Sequence, residues 1–311
     1  MTPRHLALVG PTASGKSALA LALAAARPDV EIVSLDSMQV YRGMDVCTAK
    51  ATPAERAAVR HHLIDVARPS ETWSVARAQR AARAAVADIE ARGKCAVLVG
   101  GTGLYVRAVV DGLAIPGEDG AVRAELETAV ATAGGGVAAH AELTRRDPAA
   151  AARIDPRNVR RVVRALEVVR ATGKPFSSSG PGIGTFGRPG LDVLMVGVWL
   201  PRPVVDRRIH DRLEAMRHAG IVDEVAALAA RIPAPSRTAR QAIGYREIVE
   251  HLSGTGARPS LDDALAAAAR RTRAFARRQR MWFRRDPRIR WLGTSDNPAS
   301  LLPGLLAGWA P

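Results

Sequence analysis

Lysine is nearly absent: only four occur, at positions 16, 50, 94 and 174, so almost all the positive charge is carried by arginine in an alanine-rich chain. That skew weakens the formal charge of +15 as a pointer to a partner, although a polyanion such as nucleic acid remains what it favours. The two cysteines, Cys47 and Cys95, stand alone. They form neither a disulfide framework nor a metal-knuckle spacing, and read as ordinary reduced, largely buried thiols. No apolar run approaches the roughly eighteen residues needed to cross a membrane. The N-terminus shows no charged region followed by an apolar core and cleavage site. A soluble, cytoplasmic protein is expected. The paired histidines His61 and His62 have no third ligand nearby, so a surface or structural role is expected of them rather than a metal site.

What is present begins at the N-terminus. The apolar run His5 to Val9 leads into Gly10-Pro11-Thr12-Ala13-Ser14-Gly15-Lys16-Ser17, and an alanine- and leucine-rich run follows from Ala18 to Ala26. Strand, glycine-bounded loop and helix in succession are the context that G-x-x-x-x-G-K-[ST], the pattern of ATP-binding loops, requires. Backbone N–H groups, a helix N-terminus and the Lys16 charge would converge on a diphosphate or triphosphate. Ser17 is the expected hydroxyl ligand for Mg²⁺. The loop alone does not say whether phosphate is transferred, hydrolysed or released.

The β-rich run Val30 to Leu35 ends at Asp36-Ser37-Met38-Gln39-Val40-Tyr41. In an open parallel sheet, residues beyond the carboxyl ends of strands meet at the ligand crevice, which would bring Asp36 to the phosphate cup. An acid there can bind Mg²⁺, serve as a general base, or cap the next helix. Residues 41–50 read as an irregular loop, followed by a helix begun by Pro53 and another from about Ser74 to Arg92. Lys94 to Val99 is the third expected strand, and it ends in Gly100-Gly101-Thr102-Gly103-Leu104-Tyr105. A P-loop NTPase ordinarily carries an acid there to hold Mg²⁺. Glycines and a threonine instead suggest a place for close approach of substrate or backbone, with one hydroxyl to offer.

From Leu113 to Gly190 the pattern becomes helical, over 122–132, 136–145 and 158–172, and then rich in glycine, serine and proline over 174–190. On the 158–172 helix Val159, Val162, Val163, Leu166 and Val169 share one face, leaving Arg157, Arg160, Arg161 and Arg164 for the outside. Leu191 to Leu200 reads as a buried strand returning to the first sheet. The next helix, 201–216, carries Arg208 and Arg212 one turn apart, able to close over phosphates. On the last long helix, 260–285, Arg273, Arg277, Arg280 and Arg284 form a basic stripe suited to a nucleic-acid backbone, while Phe275 and Trp282 can dock inward. The fold class expected is α/β: a P-loop NTPase-like parallel sheet flanked by helices over 1–115 and 190–311, with a mainly helical insertion over 116–189.

GPTASGKS at 10–17, DSMQVY at 36–41, TAK at 48–50, HHLID at 61–65, GGTGLY at 100–105, RALEV at 164–168, QAIGYRE at 241–247 and RRQRMWFR at 277–284 occur jointly and in order. By these motifs the chain resembles, along nearly its whole length, the bacterial tRNA dimethylallyltransferases, also called tRNA isopentenyltransferases. The resemblance implies transfer of a dimethylallyl group from its diphosphate to N6 of adenosine 37 in tRNAs reading codons that begin with U. It implies that residues 10–17 hold the prenyl diphosphate with Mg²⁺ on Ser17, and that Arg208 and Arg212 stand near it. Asp36 would take the N6 proton, with Ser37, Met38, Gln39 and Thr102 holding the target nucleotide. Arg123, Arg160, Arg161, Arg164, Arg240, Gln241, Gly244 and Tyr245 would contact the anticodon arm. The adenine must leave its stack to reach a buried electrophile, which calls for a basic platform for the rest of the RNA. No Cys/His cluster of the kind some eukaryotic members carry is present, so no zinc is expected, and a monomer is. Two readings compete: a kinase of small molecules, and a prenyltransferase acting on free adenine nucleotide.

Overall fold

The computed structural model describes residues 4–132, 134–180, 184–253 and 259–309. It divides into two compact units, Met1–Gly112 with Arg188–Pro311, and Leu113–Gly187.

The larger unit is built on six parallel strands: β1 (His5–Val9), β2 (Val30–Ser34), β3 (His61–His62), β4 (Cys95–Gly100), β5 (Val193–Trp199) and β6 (Arg290–Gly293). Their order across the sheet is β3-β2-β4-β1-β5-β6. A parallel sheet covered on both faces needs apolar side chains on both, so its inner strands read as continuous hydrophobic runs. β1 has no exposed residue. Ala7, Val9, Ala96, Leu98, Val193 and Met195 pack on one face against Val86, Ile89, Val106 and Val109. Leu6, Leu8, Val97, Val99, Leu194 and Val196 pack on the other against Leu19, Leu23, Leu305 and Trp309. The alternation follows the two-residue period of strand side chains.

The three strands expected before the insertion are all present, although the one expected third is fourth in the chain. The short edge strands β3 and β6 are additions: two and four residues carry too little periodicity to be read. The histidines of β3 are structural. Nδ1 of His61 contacts Val59 O at 2.7 Å and Nε2 of His62 contacts Glu31 Oε2 at 2.8 Å. Among the described residues no group of three His, Cys, Asp or Glu side chains could by itself hold a metal ion. Both cysteines are buried and free. No helix in the described residues is long and apolar enough to cross a membrane.

Helices begin where capping residues allow. Thr52 and Ser260 form capping boxes with Glu55 and Asp263, at Pro53–Ala58 and Leu261–Phe283. Ser74 caps Val75–Ala91. The helix Gly103–Asp111, directly after β4, was not foreseen, because its start is a glycine loop.

The smaller unit packs the helices Gly120–Val130, Gly135–Arg146, Pro148–Ala151 and Val159–Thr172 around Leu126, Leu143, Val162, Val163 and Leu166. Val159 is partly buried against this cluster, so the apolar face read from the sequence is the inward one. Of the linking stretch 174–190, residues 181–183 lie outside the described residues.

A candidate phosphate-binding active site

Three loops at the carboxyl ends of β1, β2 and β4 surround one cavity of about 320 Å³. The loop after β1 runs through Gly10 to Gly15, with Ala13 held in the left-handed region at φ 62° and Gly15 at φ 84°. Such successive turns point backbone N–H groups into one concavity. The helix Lys16–Ala26 starts at once, so its first N–H groups have no intrahelical acceptor and its positive end faces the cavity. Ser14 Oγ is buried with no hydrogen-bond partner among the described residues, an unmet donor inside the loop. Ser17 lines the cavity and is exposed.

The cations at this loop come from two elements. Lys16 is buried and its Nζ donates to Pro11 O at 2.6 Å. Burial, and then the neighbouring Arg212 cation, lower its pKa from 10.5 to about 7, while Asp36 pulls the other way. Arg208 and Arg212, on the helix Arg202–His218, both reach the loop after β1. Arg208 Nε donates to Ala13 O at 3.0 Å and Arg212 Nη1 to Thr12 Oγ1 at 3.2 Å. Burial, and then the Arg208 charge, hold the Arg212 pKa below its ordinary value. Three cations crowded into a partly buried cup are mutually unfavourable, and an anion between them would relieve that repulsion.

Asp36 faces these cations. Its Oδ1 accepts from the N–H groups of Met38 at 2.8 Å and Gln39 at 3.3 Å, closing a turn rather than capping a helix. Residues 36–50 contain no helix. Its Oδ2 has no hydrogen bond among the described residues and so remains available to accept a proton.

The loop that carries Asp36 is anchored from below. Glu224 accepts the N–H groups of Asp45, Val46 and Cys47 at 2.8, 2.7 and 2.9 Å. The buried Lys50 donates to Tyr41 O, Asp45 Oδ1 and Asp65 Oδ1 at 2.7, 2.5 and 2.6 Å. Lys50 in the TAK motif is thus a tie for the loop, and Glu224, 174 positions beyond it in the chain, carries no local signal of its role.

The loop after β4 is shaped by the end of the long helix Leu261–Phe283. A Cβ at Gly101 would overlap the Gln279 amide, and one at Gly103 would overlap the Trp282 indole. These glycines therefore admit side chains of the protein's own helix Leu261–Phe283. Gln279, buried amid the arginines, accepts from Thr12 N–H through Oε1 at 2.8 Å and donates from Nε2 to Gly101 O at 2.9 Å. It is the site residue that sequence reading missed; its one signal was an uncharged amide inside an arginine run. Thr102 follows Gly101 and begins the helix Gly103–Asp111 without a side-chain capping bond.

The other expected contacts separate into outward and inward groups. Gln39 lines the cavity, but its amide is engaged within its own loop, with Ser34 Oγ at 2.9 Å and Ala49 O at 3.2 Å. Met38 packs on the apolar cluster beneath the loop, and Ser37 is half-buried. Arg160 and Arg161 are exposed with no ion pair among the described residues. Arg123 and Arg164 instead both pair with the buried Glu167, at 2.8 and 2.6 Å. Burial opposes ionisation of Glu167, yet the Asp119 N–H and these two arginines hold its carboxyl below the ordinary range. Arg240 and Gln241 are exposed, whereas Gly244 and Tyr245 are buried, Tyr245 in the cluster under the Asp36 loop. The basic stripe is also divided. Arg277 and Arg284 are exposed, Arg273 lies 3.8 Å from Asp206, and Arg280 covers the Trp199 ring at 5.3 Å. Phe275 lines the cavity, Trp282 is half-buried, and Phe283 is the side chain that is fully buried. An expectation based on helical spacing alone does not register which neighbour each face meets.

Comparison with known proteins agrees with this geometry. Residues 39–286 match the family model described as IPP transferase. A tRNA dimethylallyltransferase of Kineococcus radiotolerans is 52% identical over 297 residues, covering 94% of this chain and 91% of that protein. One from Streptomyces avermitilis is 47% identical, covering 97% of this chain and 94% of its own. Among solved structures, the full-length tRNA isopentenylpyrophosphate transferase of Bacillus halodurans superposes with a TM-score of 0.69 at 38% identity, covering 98% of this chain and 96% of its own. A eukaryotic dimethylallyltransferase acting on tRNA gives a TM-score of 0.77 at 25% identity, covering 95% of this chain and 75% of its own. On these grounds the chain belongs to the IPP transferase family, the family of the tRNA dimethylallyltransferases.

Proposed function

We propose that this protein transfers a dimethylallyl group from dimethylallyl diphosphate to N6 of adenosine 37 in tRNAs reading codons that begin with U, releasing diphosphate. The observation that carries the reading is the meeting, in one cavity, of a cationic phosphate cup and a carboxylate with one oxygen unengaged. The phosphate loop, Lys16, Arg208 and Arg212 would bind the diphosphate and neutralise the charge that grows as it leaves. Asp36 would accept the N6 proton as the amine attacks the prenyl carbon, so that the C–N bond forms while the C–O bond breaks. Thr102, beside the cavity, would hold the nucleotide. Alignment matters more than intrinsic reactivity, because the exocyclic amine is a weak nucleophile.

Mg²⁺ fits the donor set: Ser17 offers a hydroxyl in the same cavity, and the ion prefers hard oxygens supplied largely by substrate and water. It would neutralise diphosphate charge there. Arg160 and Arg161 on the helical unit, Arg240 and Gln241, and Arg277 on the helix Leu261–Phe283 with Arg284 at its end are exposed groups available for the RNA. A soluble, cytoplasmic monomer without zinc accords with this reading.

The test is incubation with dimethylallyl diphosphate, Mg²⁺ and either unmodified tRNA or AMP, followed by mass analysis of the adenosine. Prenylated adenosine in tRNA is expected. Modification of AMP alone would replace this reading with a free-nucleotide prenyltransferase, and dependence on ATP would replace it with a kinase.

A further inference from the structure

We infer that Gln279 is a positioning residue that fixes the phosphate loop to the loop after β4 and so sets the donor against the acceptor. The inference rests on the function proposed above. The two loops belong to different strands, and each holds one half of the chemistry: the diphosphate cup on one side, and Gly101 with the adjoining Thr102 on the other. A single buried side chain joins them. Its oxygen takes the Thr12 N–H and its nitrogen gives to Gly101 O, so both ends of the amide are used and its orientation is determined. The Thr12 N–H is thereby withdrawn from the phosphate cup, which fixes the loop's shape instead of contacting the ligand. The glycine at 101 lets the amide approach the backbone this closely. An arginine or lysine here could donate to Gly101 O but could not accept from Thr12, which explains an uncharged amide in so basic a run. Reacting atoms must be aligned closely, and an error of about 1 Å can cost roughly 100-fold in rate.

Gln279→Met removes both bonds at similar size. Gln279→Glu makes them conditional on pH: a protonated carboxyl can accept from Thr12 and donate to Gly101 O as the amide does, whereas the carboxylate cannot donate and repels the carbonyl. The charged and titratable groups lining the same cavity are Lys16, Asp36, Lys50, Glu55, His61, Arg208 and Arg212. Relative to the unmodified protein at each pH, Q279M is expected to lose roughly 10- to 100-fold in kcat, with KM for tRNA changed less than about twofold. Its affinity for inorganic pyrophosphate, measured by calorimetry, should fall about fivefold, because without the two bonds the loop is no longer held in its binding shape and must be ordered by the ligand. The Q279E-to-unmodified ratio of kcat should rise as pH is lowered from 8.5 to 5, a response that general loosening of the fold does not produce. Circular dichroism of both variants checks that they fold. The inference is overturned if Q279M keeps kcat and pyrophosphate affinity within twofold, or if the Q279E ratio does not change with pH. Should the unmodified protein fail to prenylate tRNA, the function proposed above falls, and the pyrophosphate measurement alone still decides whether Gln279 shapes the cup.

Discussion

Lys16 gives the sharpest quantitative expectation. Burial, followed by the Arg212 charge, brings its pKa down to about 7, so near neutrality the phosphate loop is only partly in its cationic form. A diphosphate selects the protonated lysine, and once bound its negative charge returns the group toward its ordinary range. Apparent affinity then scales with the protonated fraction, which falls from about 0.9 at pH 6 to about 0.01 at pH 9, or roughly 90-fold. The ligand's own ionisation also changes over this interval. Lys16→Arg cancels that contribution, because arginine stays charged throughout. Pyrophosphate titrations by calorimetry from pH 6 to 9 should therefore show the ratio of unmodified to K16R affinity falling about 90-fold, mostly above pH 7. A ratio constant within threefold would refute the argument that a buried, neutralisable lysine controls the cup.

Asp36→Asn keeps an Oδ1 acceptor for the Met38 and Gln39 N–H groups, so the turn should survive. Pyrophosphate and tRNA binding are expected to persist while turnover falls by about 10²- to 10⁴-fold; single-turnover kinetics would expose a near-normal rate. Replacing both Arg160 and Arg161 with alanine should weaken tRNA binding and reduce the slope of log affinity against log salt by roughly two, with pyrophosphate binding unchanged. An unaltered salt slope would remove these arginines from the RNA contact. Glu167→Gln leaves Arg123 and Arg164 without their buried counter-charge and should destabilise the helical unit by about 3 kcal/mol, discounted toward 2 because Arg123 is one-third exposed. Thermal melts should show the loss at pH 7. Since the Glu167 carboxyl is held below its ordinary pKa, the gap between the two proteins should close as pH falls through the carboxylate range.

Inner strands of the sheet were legible because buried parallel strands are written as apolar runs, and β1, β4 and β5 are such runs. The helix starts at Pro53 and near Ser74 and Ser260 were equally legible, and the structure adds their caps, Thr52, Ser74 and Ser260, each a local interaction between residues three apart. Arginine was the least readable residue. The same side chain appears exposed at Arg160, paired to a buried carboxylate at Arg164, and laid over an indole at Arg280. Which of these occurs depends on partners from 3 to 81 positions away in the chain, and no periodicity encodes it.

By itself the sequence determined the glycine-bounded loop pattern after β1, the position of Asp36 after β2 and the absence of an acid after β4, because each is a short pattern whose chemistry is local. Only the tertiary structure decided that Arg208 and Arg212 reach that loop, that Glu224 and Lys50 hold the segment bearing Asp36, and that Gln279 joins Thr12 to Gly101. Those contacts unite residues far apart in the chain. They exist because the parallel strands end together on one side of the sheet and the helix Leu261–Phe283 is packed against the loops there.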